Sequence, residues 1–149
     1  MKYIIWIISC IIHRFWVLFH ILQFCNELIK RAQKHDNSKY SIFEIKGFAE
    51  VFPKLKNSTY GSLEYKSLLH DLKITLQHHY FRNRHHPEYH KQGINNMNLI
   101  DIVEMWCDWK SAIKKHKDGD INNSIKVNSK RFKMGKVLTE IFKNTVETL

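Results

Sequence analysis

Residues 78–90 read HHYFRNRHHPEYH and hold five of the ten histidines in the chain. Each imidazole has two polar nitrogens that need partners, so such a cluster asks for a chemical reason. A neutral ring is a good ligand for Zn, Mn or Fe, whereas the charged ring suits phosphate. His79 lies three residues after Leu76 and seven after Leu72, which carries it along the inward stripe of a helix. A lone inward histidine is most often a hydrogen-bonded core residue. Here His85 and His86 follow closely, flanked by Arg82 and Arg84, and this pair is expected at a cleft mouth.

Two other stretches could contribute. KHDNSK, residues 34–39, sets His35 and Asp36 side by side at a helix end, one nitrogen and one oxygen ligand, followed by Ser38 and Lys39. In the helix expected from Leu99, Asp101, Glu104 and Asp108 form a narrow acidic stripe. It lies opposite the apolar arc of Leu99, Ile102, Val103, Trp106, Trp109 and Ile113. Such a stripe reads as a solvated face unless something basic or metallic sits over it.

The elements that must position these residues are helical. Five glycines and two prolines punctuate 149 residues, and apolar residues recur at spacings of three and four. The expectation is an all-α fold, a single bundle of about five to six helices. A first helix spans residues 3 to about 34. Ser41 with Glu44 makes a capping box for a short helix to about Phe52, and Pro53 to Tyr60 is a loop. Ser62 caps a long helix to about Tyr80, and Pro87 and Gly93 mark a connection. Asn98 caps the next helix, which Gly119 ends as the residue past its C-terminus. Asp120 and Gly135 open two more.

Composition narrows the function classes. Net charge is +10, and residues 110–149 hold ten basic against four acidic residues, which suits an anionic partner or a solvated basic face. No nucleic-acid motif accompanies the charge. Cys10, Cys25 and Cys107 show no paired metal-ligand spacing and leave one unmatched, so a reducing, cytoplasmic setting is expected. The uninterrupted apolar run MKYIIWIISCII stops at His13–Arg14, short of the roughly 18–20 residues a membrane span needs. A buried or membrane-leaning first helix is therefore expected, with residues 1–12 as its apolar extension. Membrane association through residues 3–25 is the less favoured reading.

RAQKHDNSKYS, TYGSLEYK, HHYFRNRHHPEYHKQGINNMNLIDIVEMWCDWKSA, DGDINNSI and RF…IFKNT together resemble an uncharacterised family of bacteria and their phages, from about His13 to Thr145. More distantly the chain resembles the HD superfamily of helical metal-dependent phosphohydrolases, which hold divalent metals with the pattern H…HD…D. The resemblance implies an HD-domain-like bundle and a divalent ion (Mn, Fe, Zn or Mg). His35 and Asp36 would be the HD pair, Asp108 the closing aspartate, His79 or the pair His85–His86 the intervening ligands, and His13 the leading histidine. The implied activity is hydrolysis of a nucleotide or small phosphate ester. His85 or His86 would protonate the leaving group, Glu104 would support a metal ligand from behind or act as general base, and Lys39 or Arg84 would hold phosphate oxygens. His13 meets an objection: twenty-two residues of unbroken helix would put it about 33 Å from His35. Its role requires a fold back, for which Cys25–Asn26 is the plausible place. The rival reading is a non-catalytic helical module that binds nucleic acid or a protein through its basic end and buries a structural His/Asp network.

Overall fold

A computed structural model describes residues 1–59, 62–115 and 119–148, except for the side chain of Lys56. Among these residues the secondary structure is entirely helical. The seven α-helices are α1 (Lys2–Lys34), α2 (Ile42–Asn57), α3 (Leu63–Asp71), α4 (Lys73–Arg82), α5 (Leu99–Ala112), α6 (Ile121–Arg131) and α7 (Lys136–Val146). The chain is described as two units, Met1–His35 and Asp36–Leu149.

The first unit is α1 with its C-cap, His35. The helix runs unbroken past Cys25–Asn26, because no Gly or Pro interrupts it and its apolar pattern continues. No residue of α1 is buried. Without the fold back, His13 stands about 33 Å along the helix from His35, so these two rings cannot hold one ion in this arrangement.

In the second unit the helix starts follow the sequence. Ser41, Ser62 and Asp120 accept backbone N–H groups at the heads of α2, α3 and α6, and Gly135 is the N-cap of α7. Asn98 and Asp101 make a full capping box at the head of α5. Interiors and ends depart more. α2 continues through Pro53 to Asn57. The long helix expected after Ser62 breaks at Leu72 (φ −81°, ψ 0°), giving α3 and α4. α5 ends at Ala112 in a 3₁₀ turn, Ile113–Lys115, seven residues before the stop expected at Gly119.

Two apolar clusters hold this unit. Val51, Leu68 and Leu72 pack from α2 and α3 to the break, joined by Phe48, Leu55 and Leu76. Met105, Trp106, Trp109, Ile121, Ile125 and Phe142 pack from α5, α6 and α7. The histidine-rich connection joins the two groups of helices.

Candidate metal centre

Asp36 sits in a turn between His35 and a 3₁₀ helix, Asn37–Tyr40, with left-handed backbone angles (φ 56°, ψ 21°). Aspartate tolerates this region better than most residues, since its short side chain bonds locally. Lys39 closes the turn by donating its N–H to Asp36 O at 2.8 Å and pairing its amine with Asp36 Oδ2 at 2.6 Å. His79 lies on the last turn of α4, and His85 and His86 follow in the connection. One ligand atom from each of Asp36, His79, His85 and His86 falls within 4.8 Å of all the others, and Asp36, His85 and Asp108 satisfy the same limit.

The spacings fit a shared ion. Ligands at about 2.0–2.2 Å from a transition metal, set about 90–110° apart, lie roughly 3.0–3.5 Å from each other. His79 Nε2 is 3.0 Å from His86 Nε2 and 3.2 Å from Asp36 Oδ1, and His85 Nε2 is 3.5 Å from Asp36 Oδ1. Asp108 Oδ2 stands 4.0 Å from His85 Nε2.

Two buried glutamates hold the inner rings from behind. Glu44, fully buried on α2, accepts from His79 Nδ1 at 2.9 Å with one oxygen and from His78 Nδ1 at 2.8 Å with the other. Glu104 on α5 lies 3.2 Å from His85 Nδ1. A carboxylate only accepts, so Nδ1 carries the proton and Nε2 keeps its lone pair for the centre, the arrangement that orients metal-binding histidines. The Asn83 amide donates to Ser38 Oγ (2.6 Å) and to His79 O (2.7 Å), tying the Asp36 turn to the end of α4. Burial, then the neighbouring His85 and His79, push the pKa of His86 down to about 3, so this ring is neutral near pH 7.

α2 and α4 must approach closely for Glu44 to reach His79. Gly47, three residues beyond Glu44, makes this approach: a Cβ there would sit 2.1 Å from Thr75 Oγ1, four residues before His79. Only a glycine leaves the space.

Asp101 and Glu104 of the acidic stripe of α5 do not face solvent, and Asp108 does so only in part. Asp101 is fully buried and receives Arg84 Nε at 2.8 Å and Nη2 at 3.0 Å, while Glu104 turns to His85. Buried carboxylates require such partners, and the partners come from the connection. Arg84 is therefore committed to Asp101, whose hydrogen bond raises the guanidinium pKa. Lys39 is held on Asp36. His85 is buried within the cluster rather than exposed at a cleft mouth. His86 does reach a cavity of about 200 Å³, lined also by Asp108, Tyr80, Trp109 and Arg131. Arg131, absent from the sequence reading, is aimed there by Tyr80 Oη (3.3 Å) and Glu88 Oε1 (2.6 Å).

These features define an all-α protein with a buried His/Asp cluster able to hold a metal ion. The chain belongs to a family of unknown function, DUF5662, which it matches over residues 8–149. No curated protein and no solved structure matches it.

Proposed function

We propose that the protein is a metal-dependent phosphohydrolase acting on a nucleotide or other small phosphate ester. The observation behind this reading is the convergence of Asp36, His79, His85 and His86 beside a cavity that also takes in Asp108 and Arg131. Asp36, His79 and His85 would hold a divalent cation. Asp108 is the further candidate. An imidazole-rich set suits Mn, Fe or Zn better than Mg. When bound, such a cation acidifies a water and polarises a phosphoryl oxygen.

The remaining work belongs to the chain. Glu44 and Glu104 fix ring orientation through Nδ1. His86, neutral and on the cavity wall, would donate an N–H hydrogen bond to the leaving oxygen, which would take its proton from water. Arg131 offers a guanidinium to phosphate oxygens, a role assigned to it in place of Arg84.

Elemental analysis of the purified full-length protein and of Asp36→Ala tests the reading, together with phosphate release from p-nitrophenyl phosphate and nucleotides. About one or two equivalents of a transition metal, lost in the variant, with metal-dependent release in the wild type, are expected. Metal-free protein after metal-supplemented expression would sink the proposal. It would favour the polar-network reading, in which the exposed Lys126, Lys130, Lys133 and Lys136 serve a binding surface.

A further inference from the structure

The cavity has a second wall that the chemistry above does not use. α6 buries a serine and an asparagine one helical turn apart: Ser124 is 8% and Asn128 4% exposed, and both line the cavity. Burying an amide and a hydroxyl at a cavity wall costs free energy unless they find partners. Asn128 Nδ2 donates to Ser124 Oγ at 3.3 Å. That bond leaves the amide oxygen, the second amide hydrogen and the serine hydroxyl hydrogen for a molecule in the cavity.

Around this polar edge the lining is aromatic. Trp109 and Phe132 stack with ring centroids 6.2 Å apart and planes 10° from parallel, and Tyr80 lies 4.8 Å from the His86 ring. Flat apolar surface with a few placed polar groups is the make-up of a small-molecule site. A carboxamide edge matches a ring that presents a donor beside an acceptor, as a nucleobase does. Charge limits the phosphate count. Among the described lining residues one guanidinium, Arg131, itself paired with Glu88, stands with two carboxylates, Asp108 and Asp120. That balance favours a single phosphoryl group and repels a polyphosphate chain.

Building on the phosphohydrolase reading, we infer that α6 forms the leaving-group subsite and that the substrate is a nucleoside monophosphate. The base lies against Trp109 and Phe132, its hydrogen-bonding edge meets Asn128 and Ser124, and the phosphate points to His86 and Arg131. Ser124 and Asn128 then determine specificity and take no part in bond breaking.

The test is calorimetric titration of the metal-free full-length protein with the four ribonucleoside 5′-monophosphates, the matching nucleosides and inorganic phosphate. Wild type, Asn128→Ala and Ser124→Ala are compared, each checked for folding by circular dichroism. At least one mononucleotide is expected to bind, weakened about tenfold or more in each variant, with phosphate binding unchanged. Absence of mononucleotide binding overturns the inference. So does binding that the variants leave intact, or that falls together with phosphate binding. Should either variant fail to fold, the other carries the same comparison, and the wild-type titration alone still decides whether mononucleotides bind. Mononucleotide binding without hydrolysis of any ester would remove the phosphohydrolase reading and leave the subsite standing. Hydrolysis of p-nitrophenyl phosphate without mononucleotide binding would do the reverse.

Discussion

Glu44 Oε2 accepts a hydrogen bond from His79 Nδ1 at 2.9 Å, wholly out of solvent and across 35 residues of sequence. The same carboxylate holds His78 through its other oxygen. Removing its charge while keeping its shape leaves the ring in place and makes Nε2 a poorer donor to a metal. Glu44→Gln is therefore expected to weaken metal binding about 10–100-fold while leaving the fold intact. Competition against a chromogenic chelator reads the affinity, and helical content by circular dichroism checks the fold. An unchanged affinity would show that the ring is held by packing alone.

Gly47 makes a complementary prediction about distance. A methyl group there meets the Thr75 side chain, so α2 must back away from α4 and take Glu44 with it. Gly47→Ala should lower both stability and metal affinity, by about 1–3 kcal/mol in stability for an overpacked contact. Pairing it with Thr75→Ala, which removes the Oγ1 and Cγ2 atoms and leaves only the Cβ close by, should restore part of both. If the double variant binds metal no better than the single one, the contact does not set the distance.

Arg84 and Asp101 predict the opposite pattern, a loss of stability without a loss of ligand binding. Two of the guanidinium nitrogens, Nε and Nη2, donate to a fully buried carboxylate that also caps α5. Arg84 is itself partly exposed, so solvent screens the pair, and Arg84→Met should cost about 1–2 kcal/mol in urea unfolding. Asp101→Ala also removes the capping box and should cost more, about 3 kcal/mol. Metal and phosphate affinities of folded Arg84→Met should match wild type. A selective loss of phosphate binding would restore Arg84 to the site.

How much of this was legible beforehand follows from where each residue finds its partners. The caps at Ser41, Ser62, Asn98 and Asp120 act within three residues of themselves, so local spacing reveals them. His79 was legible as an inward residue because helical periodicity carries it there. Glu44 was not: it looks like the second half of a capping box, yet its carboxylate turns to two histidines on another helix. Asp101 and Glu104 read as solvated for the same reason, since Arg84 and His85 reach them from outside α5. Ser124, Asn128 and Arg131 look like the polar positions of any amphipathic helix until a cavity is seen beside them.

The last prediction concerns α1. A membrane role is disfavoured in the sequence because the uninterrupted apolar run stops at His13–Arg14, but the helix does not stop there. It is 33 residues long, buries none of them, and contains an 18-residue window of mean hydropathy 1.9, enough in length and composition to cross a membrane. Exposed Ile4, Ile5, Trp6, Ile7 and Ile8 are successive residues and so cover every side of the helix, a pattern that suits lipid better than a single packed seam. Arg14 opposes insertion by about 2.5–3.5 kcal/mol near the bilayer centre, against about 0.3–0.6 kcal/mol gained for each Leu, Ile, Phe or Val. The many apolar residues between Ile4 and Leu22 outweigh it by a small margin, and in an inserted helix Lys30, Arg31 and Lys34 would supply a basic end for the headgroups. In flotation with phosphatidylcholine–phosphatidylglycerol vesicles, the full-length protein is expected in the lipid fraction. Ile8→Asp, adding a second charge to a marginal span, should return it to the aqueous fraction with metal binding by the second unit intact. Wild-type protein that stays aqueous as a monodisperse dimer would show instead that α1 is covered by a second copy.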